Sequence, residues 1–193
     1  ERILDIEPGP YWGVRAVLLG GGPATQELID RSARANLPVL PTYGMTETAS
    51  QVATLPLDEG LRPSLSLSPL DTVDLRVTAA IRTKLRANEL GHIEVHGPMV
   101  SGGYVGEPAH LPSEWLRTGD FGKLDEEGRL TVIGRSDDII ISGGENIHPV
   151  EVEDVLLTHP DVDEVAVVGL PDPEWGEIVA SAVVASVELT IRE

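Results

Sequence analysis

Apolar residues recur along this chain in two rhythms, and the rhythms divide it. Val14 to Leu19, interrupted only by Arg15, and Leu37 to Leu40 are short apolar runs, the pattern of buried strands. Between them Gly20, Gly21, Gly22 and Pro23 break the chain, and Thr25 can cap a helix running to Ala35, with Gln26 and Glu27 in its first turn. The order strand, glycine loop, helix, strand predicts a parallel βαβ unit with its glycine loop at a strand's C-terminal end, where open α/β sheets bind ligands. From Val73 onward the rhythm changes. VDLRV, AIRTKL, HIEVHG and RLTVIG alternate apolar and polar residues and predict short antiparallel strands of a barrel-like subdomain. A third segment follows: an apolar run Ile139 to Ile141, a helix over 150–158, strands over Glu164 to Val168 and Ile178 to Val187, and a loop at Trp175. Pro160 forces the helix to end by His159. The fold class is therefore α/β with α+β elements.

The stretch GRSDDIIISGGENIHPVEVE, Gly134 to Glu153, packs the most signals into the fewest residues. Arg135 to Asp138 is too polar to lie inside the apolar run, so that strand is entered from a solvated turn. Gly143 and Gly144 allow positive φ or a close approach. Pro149 suits a helix's first turn, and Glu151 and Glu153 suit its positive end. On local grammar this is a hinge with a binding loop, or equally an ordinary strand, turn and helix.

Two further stretches carry candidate chemistry. YGMTETAS, Tyr43 to Ser50, combines an aromatic face, a hydroxyl and a carboxylate, a set able to grip a base, phosphates and Mg²⁺; a Thr-Glu pair also serves as a plain helix cap. WLRTGDFG, Trp115 to Gly122, sets Asp120 among glycines. There it can accept hydrogen bonds from vicinal hydroxyls, as acidic residues hold ribose, or simply stabilise a turn. His92 and His96 share one face of HIEVH, but no third ligand accompanies them, which argues against a metal there.

Charge removes several classes. The 193 residues carry a formal net charge of −18, so nucleic acid and anionic membrane surfaces are poor partners. An anionic ligand would need local donors against that field. No segment approaches the roughly 20 apolar residues of a membrane span, and the N-terminal residues lack a basic-then-apolar signal. With no cysteine there is neither disulfide framework nor thiolate site, which is compatible with a reducing cytoplasm.

Taken together, the hinge block, YGMTE at Tyr43 to Glu47, GHIEVHGP with Gly102-Gly103-Tyr104, and RTGD ending at Asp120 resemble the core motifs of the adenylate-forming superfamily of acyl- and aryl-CoA synthetases, peptide-synthetase adenylation domains and luciferases. The resemblance implies that 1–136 is the C-terminal part of a large adenylation domain and 137–193 an incomplete small lid domain. It implies an ATP-dependent acid–thiol ligase using ATP/AMP, Mg²⁺ and coenzyme A. By that resemblance Gly20 to Pro23, Tyr43, Gly44 and Met45 hold adenine, Thr46 approaches the phosphates, Glu47 serves magnesium, and Asp120 takes the ribose hydroxyls. Arg135 contacts ribose or phosphate, and Asp137 is the pivot on which the lid turns. Gly143 and Gly144 flank the pantetheine tunnel, and Trp175 lies against coenzyme A. Gly102 to Tyr104 count as structural.

The match is poorest over Leu55 to Leu70, where relatives carry a glycine-rich GxxGxPxPG segment and this chain reads RPSLSLSPLD. Leu61, Leu65, Leu67 and Leu70 suit covering a sheet. The family's phosphate loop ending in lysine and its C-terminal lysine are not in the sequence, and Lys84 and Lys123 take neither role; a fragment, inactive alone, is the expectation. YGMTETASQV followed by TLP resembles the branch that activates o-succinylbenzoate for menaquinone and phylloquinone synthesis, and the hinge block also resembles the 4-chlorobenzoate branch. Medium-chain acyl-CoA synthetases, carrier-loading adenylation domains and a non-catalytic binding module stay open, as does a homodimer.

Overall fold

The structure, a computed structural model, describes residues 4, 13–22, 24–57, 65–106 and 108–187. Pro23 of the glycine loop and Leu61 of the divergent stretch lie outside the described residues. The chain divides into two compact units, Glu1–Val132 and Ile133–Glu193.

The first unit opens with the expected crossover. Strand β1 (Val17–Leu19) pairs in parallel with β2 (Val39–Met45), Leu19 opposite Pro41, and helix α1 (Gln26–Arg34) joins them. Thr25 caps α1 by accepting the Leu28 N–H at 3.2 Å, which satisfies one of the donors a helix start leaves over. α1 buries Ile29 with Leu37 and Val39. Strand β1 is shorter than the apolar run, since Val14 is exposed, whereas β2 continues through Tyr43, Gly44 and Met45. From β2 a tight turn leads into antiparallel β3 (Ser50–Thr54), beside β4 (Ser68–Pro69).

The second sheet runs in the order β5 (Asp74–Thr78), β6 (Gly91–His96), β7 (Leu116–Leu124), β8 (Leu130–Arg135). The expected barrel-like region is thus this four-stranded sheet. AIRTKL, expected as a strand, is a turn with an isolated bridge from Thr78 to Lys84, and Arg82 takes φ +62° there. Leu67 and Leu130 exchange backbone hydrogen bonds of 2.8 and 2.7 Å, tying the two sheets. Their shared core holds Leu40, Val52, Leu55, Leu67, Ile93, Val95 and Leu130. Fully buried Glu94 interrupts this apolar set. Arg76 binds its Oε2 at 2.6 to 2.8 Å, with the Arg117 and Arg82 Nε atoms 3.4 and 3.6 Å from Oε1. Paired guanidinium charge offsets the cost of burying a carboxylate.

The second unit begins within β8 and continues through a one-turn helix (Ser136–Asp138), β9 (Ile140–Ser142), β10 (Glu145–Ile147) and α2 (Pro149–Leu156). It ends in a long hairpin, β11 (Val162–Asp172) and β12 (Gly176–Ala185). Of the run expected to be buried, Ile140 is buried and Ile141 is 55% exposed, as alternation in a strand covered on one face demands. Among the described residues no helix is long and apolar enough to cross a membrane.

Candidate functional site

In the first unit the parallel pairing of β1 and β2 sets the geometry. Leu19 lies opposite Pro41, so Gly20, Gly21 and Gly22 leave the end of β1 beside Thr42 and Tyr43. Thr42 donates its hydroxyl to the Leu19 carbonyl at 3.1 Å, and a Cβ on Gly20 would strike that hydroxyl. Gly21 takes φ +84°. The register of β2 against β3 slips between Tyr43 and Gly44, and a Cβ on Gly44 would overlap the Ser50 carbonyl. Only glycine fits there. Tyr43 is half-buried and packs against the core that holds Leu40, Val52 and Ile93.

Tyr43 reaches across to the second sheet and donates its phenol to Asp120 Oδ2 at 2.6 Å. Asp120 does not sit in a glycine-flanked turn, as the sequence suggests, but inside β7, at a bulge. Between the pairs Glu94–Arg117 and His92–Phe121, β7 spends four residue steps where β6 spends two. Gly119 absorbs the excess at φ +80°, and Thr118 repairs the ladder by donating to the Ile93 carbonyl at 3.1 Å and accepting the Asp120 N–H at 3.1 Å. A bulge re-aims a side chain; here it turns the 9% exposed Asp120 carboxylate toward Tyr43.

Thr46 and Glu47 lie on the tight turn after β2 (Thr46–Thr48). Thr48 is buried; it accepts the Met45 N–H at 3.2 Å and lies 3.0 Å from the Ser50 carbonyl, to which it donates. Two consecutive non-glycine residues then take positive φ, Ala49 at +53° and Ser50 at +138°. Such backbone costs on the order of 1–3 kcal/mol per residue and gathers at functional sites. Thr46 is exposed, Glu47 and Met45 half-buried. Glu47 Oε1 accepts the phenol proton of Tyr104 at 2.5 Å, a contact between residues far apart in sequence that local pattern does not reveal. Thr118 and Tyr104 are the residues that sequence reasoning missed or set aside as structural.

A cavity of about 320 Å³ in the first unit lies elsewhere, lined by Asp74, His96, His110 and Glu114 among others. His96 there faces Asp74 Oδ2 at 3.3 Å and donates to the Pro112 carbonyl at 3.0 Å, while His92 packs edge-on to Phe121. No group of three or more His, Cys, Asp or Glu converges on a metal position among the described residues. A lone carboxylate such as Glu47 suits Mg²⁺ that arrives on a nucleotide, because Mg²⁺ keeps phosphate oxygens and water as its other ligands.

In the second unit Arg135, Asp137 and Asp138 line a groove of about 430 Å³ with His148, Glu153 and Glu177. Arg135 and Asp137 are exposed on it. Glu177 accepts the Ile141 N–H at 2.8 Å and Glu153 the Val167 N–H at 2.8 Å, so two carboxylates pin β9 and β11 around the groove. Asp154 on α2 titrates above its ordinary value, because of partial burial first and the neighbouring Glu153 carboxylate second. Gly143 and Gly144 form the two-residue turn of the β9–β10 hairpin, with Ser142 opposite Glu145 and φ of +59° and +91°, the signs a type I′ turn needs. Trp175 lies on Gly143: its ring would meet a Cβ there at 2.7 Å, and its carbonyl accepts the Gly143 N–H at 2.9 Å. Asp172 Oδ1 holds that loop by accepting the Glu174 and Trp175 N–H groups, both at 2.8 Å. The three residues that sequence reasoning assigned to coenzyme A therefore form one surface.

The model of the AMP-binding enzyme family matches residues 4–105, and that of the AMP-binding enzyme C-terminal domain matches 151–193. A 2-succinylbenzoate–CoA ligase of Bacillus cereus strain Q1 is 45% identical over 185 residues, 93% of this chain and 38% of the relative; one from Bacillus mycoides is 46% identical over 186 residues. Among solved structures, the o-succinylbenzoate CoA synthetase of Bacillus subtilis with its acyl-adenylate intermediate superposes at TM-score 0.89 and 37% identity, over 98% of this chain and 40% of that one. An amide bond synthetase from Marinactinospora thermotolerans superposes at TM-score 0.81 and 34% identity, over 92% of this chain and 37% of that one. The chain thus spans about two fifths of the length of the relatives it matches. A family model covering over half the residues, and a relative 45% identical across 93% of the chain, show the family: the chain belongs to the AMP-binding enzyme family.

Proposed function

We propose that this chain supplies the nucleotide cradle and the start of the lid of an ATP-dependent o-succinylbenzoate–CoA ligase of menaquinone synthesis, at work in the cytoplasm. The observation that carries the nucleotide reading is the hydrogen bond between Tyr43 and Asp120, which join two sheets beside the Gly20–Gly22 loop. The acid is inferred from the Bacillus ligases.

In the first step the acid's carboxylate attacks the α-phosphorus of ATP, expelling pyrophosphate and leaving the acyl adenylate. Coenzyme A thiolate then attacks the acyl carbon and expels AMP. Tyr43 lays its ring along adenine over the glycine loop, with Gly44 and Met45 completing the strand end. Asp120 accepts both ribose hydroxyls, which restrains the α-phosphate for in-line attack. Magnesium bound on the nucleotide supplies charge neutralisation; Glu47 is the carboxylate that would hold it, and Thr46 hydrogen-bonds the phosphates. Arg135 takes ribose or phosphate, Asp137 turns the lid spanning 137–193, and Gly143, Gly144 and Trp175 line the path of the pantetheine arm.

The test is an acid panel on the complete gene product: o-succinylbenzoate, 4-chlorobenzoate and medium-chain acids with ATP, Mg²⁺ and coenzyme A, reading pyrophosphate and thioester separately. Selective o-succinylbenzoyl thioester formation is the expected result; absence of acid-dependent pyrophosphate release would contradict it. The likeness to an amide bond synthetase favours one other reading, an amine acceptor in the second step. Amide in place of thioester, when both acceptors are supplied, would establish it.

A further inference from the structure

Trp175 stands 53% exposed on the loop that joins β11 to β12, a place where a ring is ordinarily free to swing. Hydrogen bonds on both sides of it remove that freedom. Asp172, at the end of β11, uses Oδ1 to accept the Glu174 and Trp175 N–H groups, both at 2.8 Å. Past the ring, Glu177 Oε2 accepts the Ile141 N–H at 2.8 Å, and Gly176 lies opposite Ser142 of β9. The Trp175 carbonyl accepts the Gly143 N–H at 2.9 Å, and the ring would crowd a Cβ on Gly143 at 2.7 Å. In DPEWGE, Asp172 to Glu177, the first and last carboxylates are therefore spent on backbone N–H groups, and the ring between them is set against a hairpin turn made of two glycines.

Resting on the coenzyme A reading above, we propose that Asp172 is a positioning residue for the thioester step, acting through Trp175. Hydrogen bonds to a carboxylate are stronger and better directed than neutral ones. Two of them on consecutive N–H groups fix the backbone from which the indole projects. A loop fixed in this way offers coenzyme A a flat surface that is already ordered, so binding does not have to order it. The same two bonds also suit a plain turn cap. The two roles differ in where damage appears. A cap that matters only for folding lowers stability and both half-reactions together, whereas a positioning residue raises the KM for coenzyme A alone.

The experiment compares the complete gene product with Asp172→Ala, Asp172→Asn, Trp175→Ala and the double variant Asp172→Ala/Trp175→Ala. Three readings are taken: the KM for coenzyme A in thioester formation from preformed o-succinylbenzoyl adenylate, pyrophosphate exchange, and amide hydrogen exchange of the ligand-free protein over 142–147. Asp172→Ala should raise the KM for coenzyme A about three- to tenfold, the scale of one net hydrogen bond, with pyrophosphate exchange within about twofold of the parent. Its Gly143 amide should exchange faster, because the Trp175 carbonyl is no longer held against it. Asp172→Asn, which keeps an acceptor oxygen, should restore most of the affinity. In the Trp175→Ala background the effect of Asp172→Ala on the KM should vanish. An unchanged KM for coenzyme A in Asp172→Ala, equal loss in both half-reactions, unaltered exchange at Gly143, or an undiminished effect in the Trp175→Ala background would each overturn the proposal. If Asp172→Ala did not fold, Asp172→Ser, with a weaker acceptor, should show a higher KM than Asp172→Asn; equality of the two would overturn it. A Trp175→Ala variant with the parent's KM for coenzyme A would instead sink the coenzyme A reading beneath it.

Discussion

At the scale of single residues, Asp120 and Glu94 show two uses of a buried carboxylate. Asp120 is aimed by a bulge and accepts the Tyr43 phenol proton. Glu94 is enclosed by Arg76, Arg82 and Arg117, with Arg76 itself stacked 4.1 Å above the Trp115 ring. Removing one partner of such a buried ion pair leaves charge without compensation, typically a cost of about 3–5 kcal/mol. Glu94→Ala should therefore lower the melting temperature of the first unit steeply, by well over what surface substitutions cause; a shift within about a degree would refute the pairing account. Asp120→Ala should lower the melting temperature modestly, since it strips the Tyr43 phenol of its acceptor, and reduce kcat/KM for ATP about 30- to 100-fold, the scale of two hydrogen bonds to a charged group. Of these residues, the sequence made Asp120 legible by motif while misplacing it in a turn. The reason is physical: a bulge needs extra residues opposite a partner strand, and β6 supplies that partner from more than twenty positions away. Tyr104 was illegible as a partner of Glu47 for the same cause.

At the scale of elements, the strongest signals were local ones. Thr25 capping α1, Pro149 opening α2 and the paired glycines at 143–144 each have a mechanism confined to a few residues, and each element formed where that mechanism put it. AIRTKL failed as a strand because alternation alone does not provide a neighbour; only Lys84 found one, by an isolated bridge. The β9–β10 hairpin gives a direct test. Gly143→Ala places a methyl against the Trp175 ring at a φ of +59°. We expect it to displace Trp175, raise KM for coenzyme A several-fold and leave pyrophosphate exchange within about twofold; equal damage to both steps would contradict the assignment of this surface. Helix α2 gives a pH test. Asp154 has a raised pKa, so the folded unit holds its proton at pH values where the unfolded chain has released it. Its contribution to stability is present at low pH and is lost as pH rises through that raised value. Asp154→Asn should accordingly raise the melting temperature slightly at pH 7, with the gain fading as pH falls into the ordinary aspartate range. A gain that grew on acidification would have the wrong sign.

At the scale of the whole molecule, a net charge of −18 surrounds a site proposed for a polyanion, so affinity must come from placed donors and from metal rather than from the general field. Raising ionic strength should then weaken ATP binding little or even strengthen it, in contrast to proteins that attract phosphates through a basic surface. The chain divides between Val132 and Ile133, and in the proposed reading the lid turns further along, at Asp137. Asp137→Pro in the complete gene product should reduce thioester formation about tenfold more than adenylate formation; equal loss would count against the hinge. The central claim is narrower than any of these: Asp120 holds the ribose of an adenylate beside Tyr43. It is tested most directly by isothermal titration of the complete gene product and its Asp120→Ala variant with two hydrolysis-resistant o-succinylbenzoyl-adenylate analogues, one with an intact ribose and one lacking both the 2′ and 3′ hydroxyls. The account predicts that Asp120→Ala weakens the first analogue about 30- to 100-fold and the second by no more than about twofold. An equal loss for both analogues would contradict it.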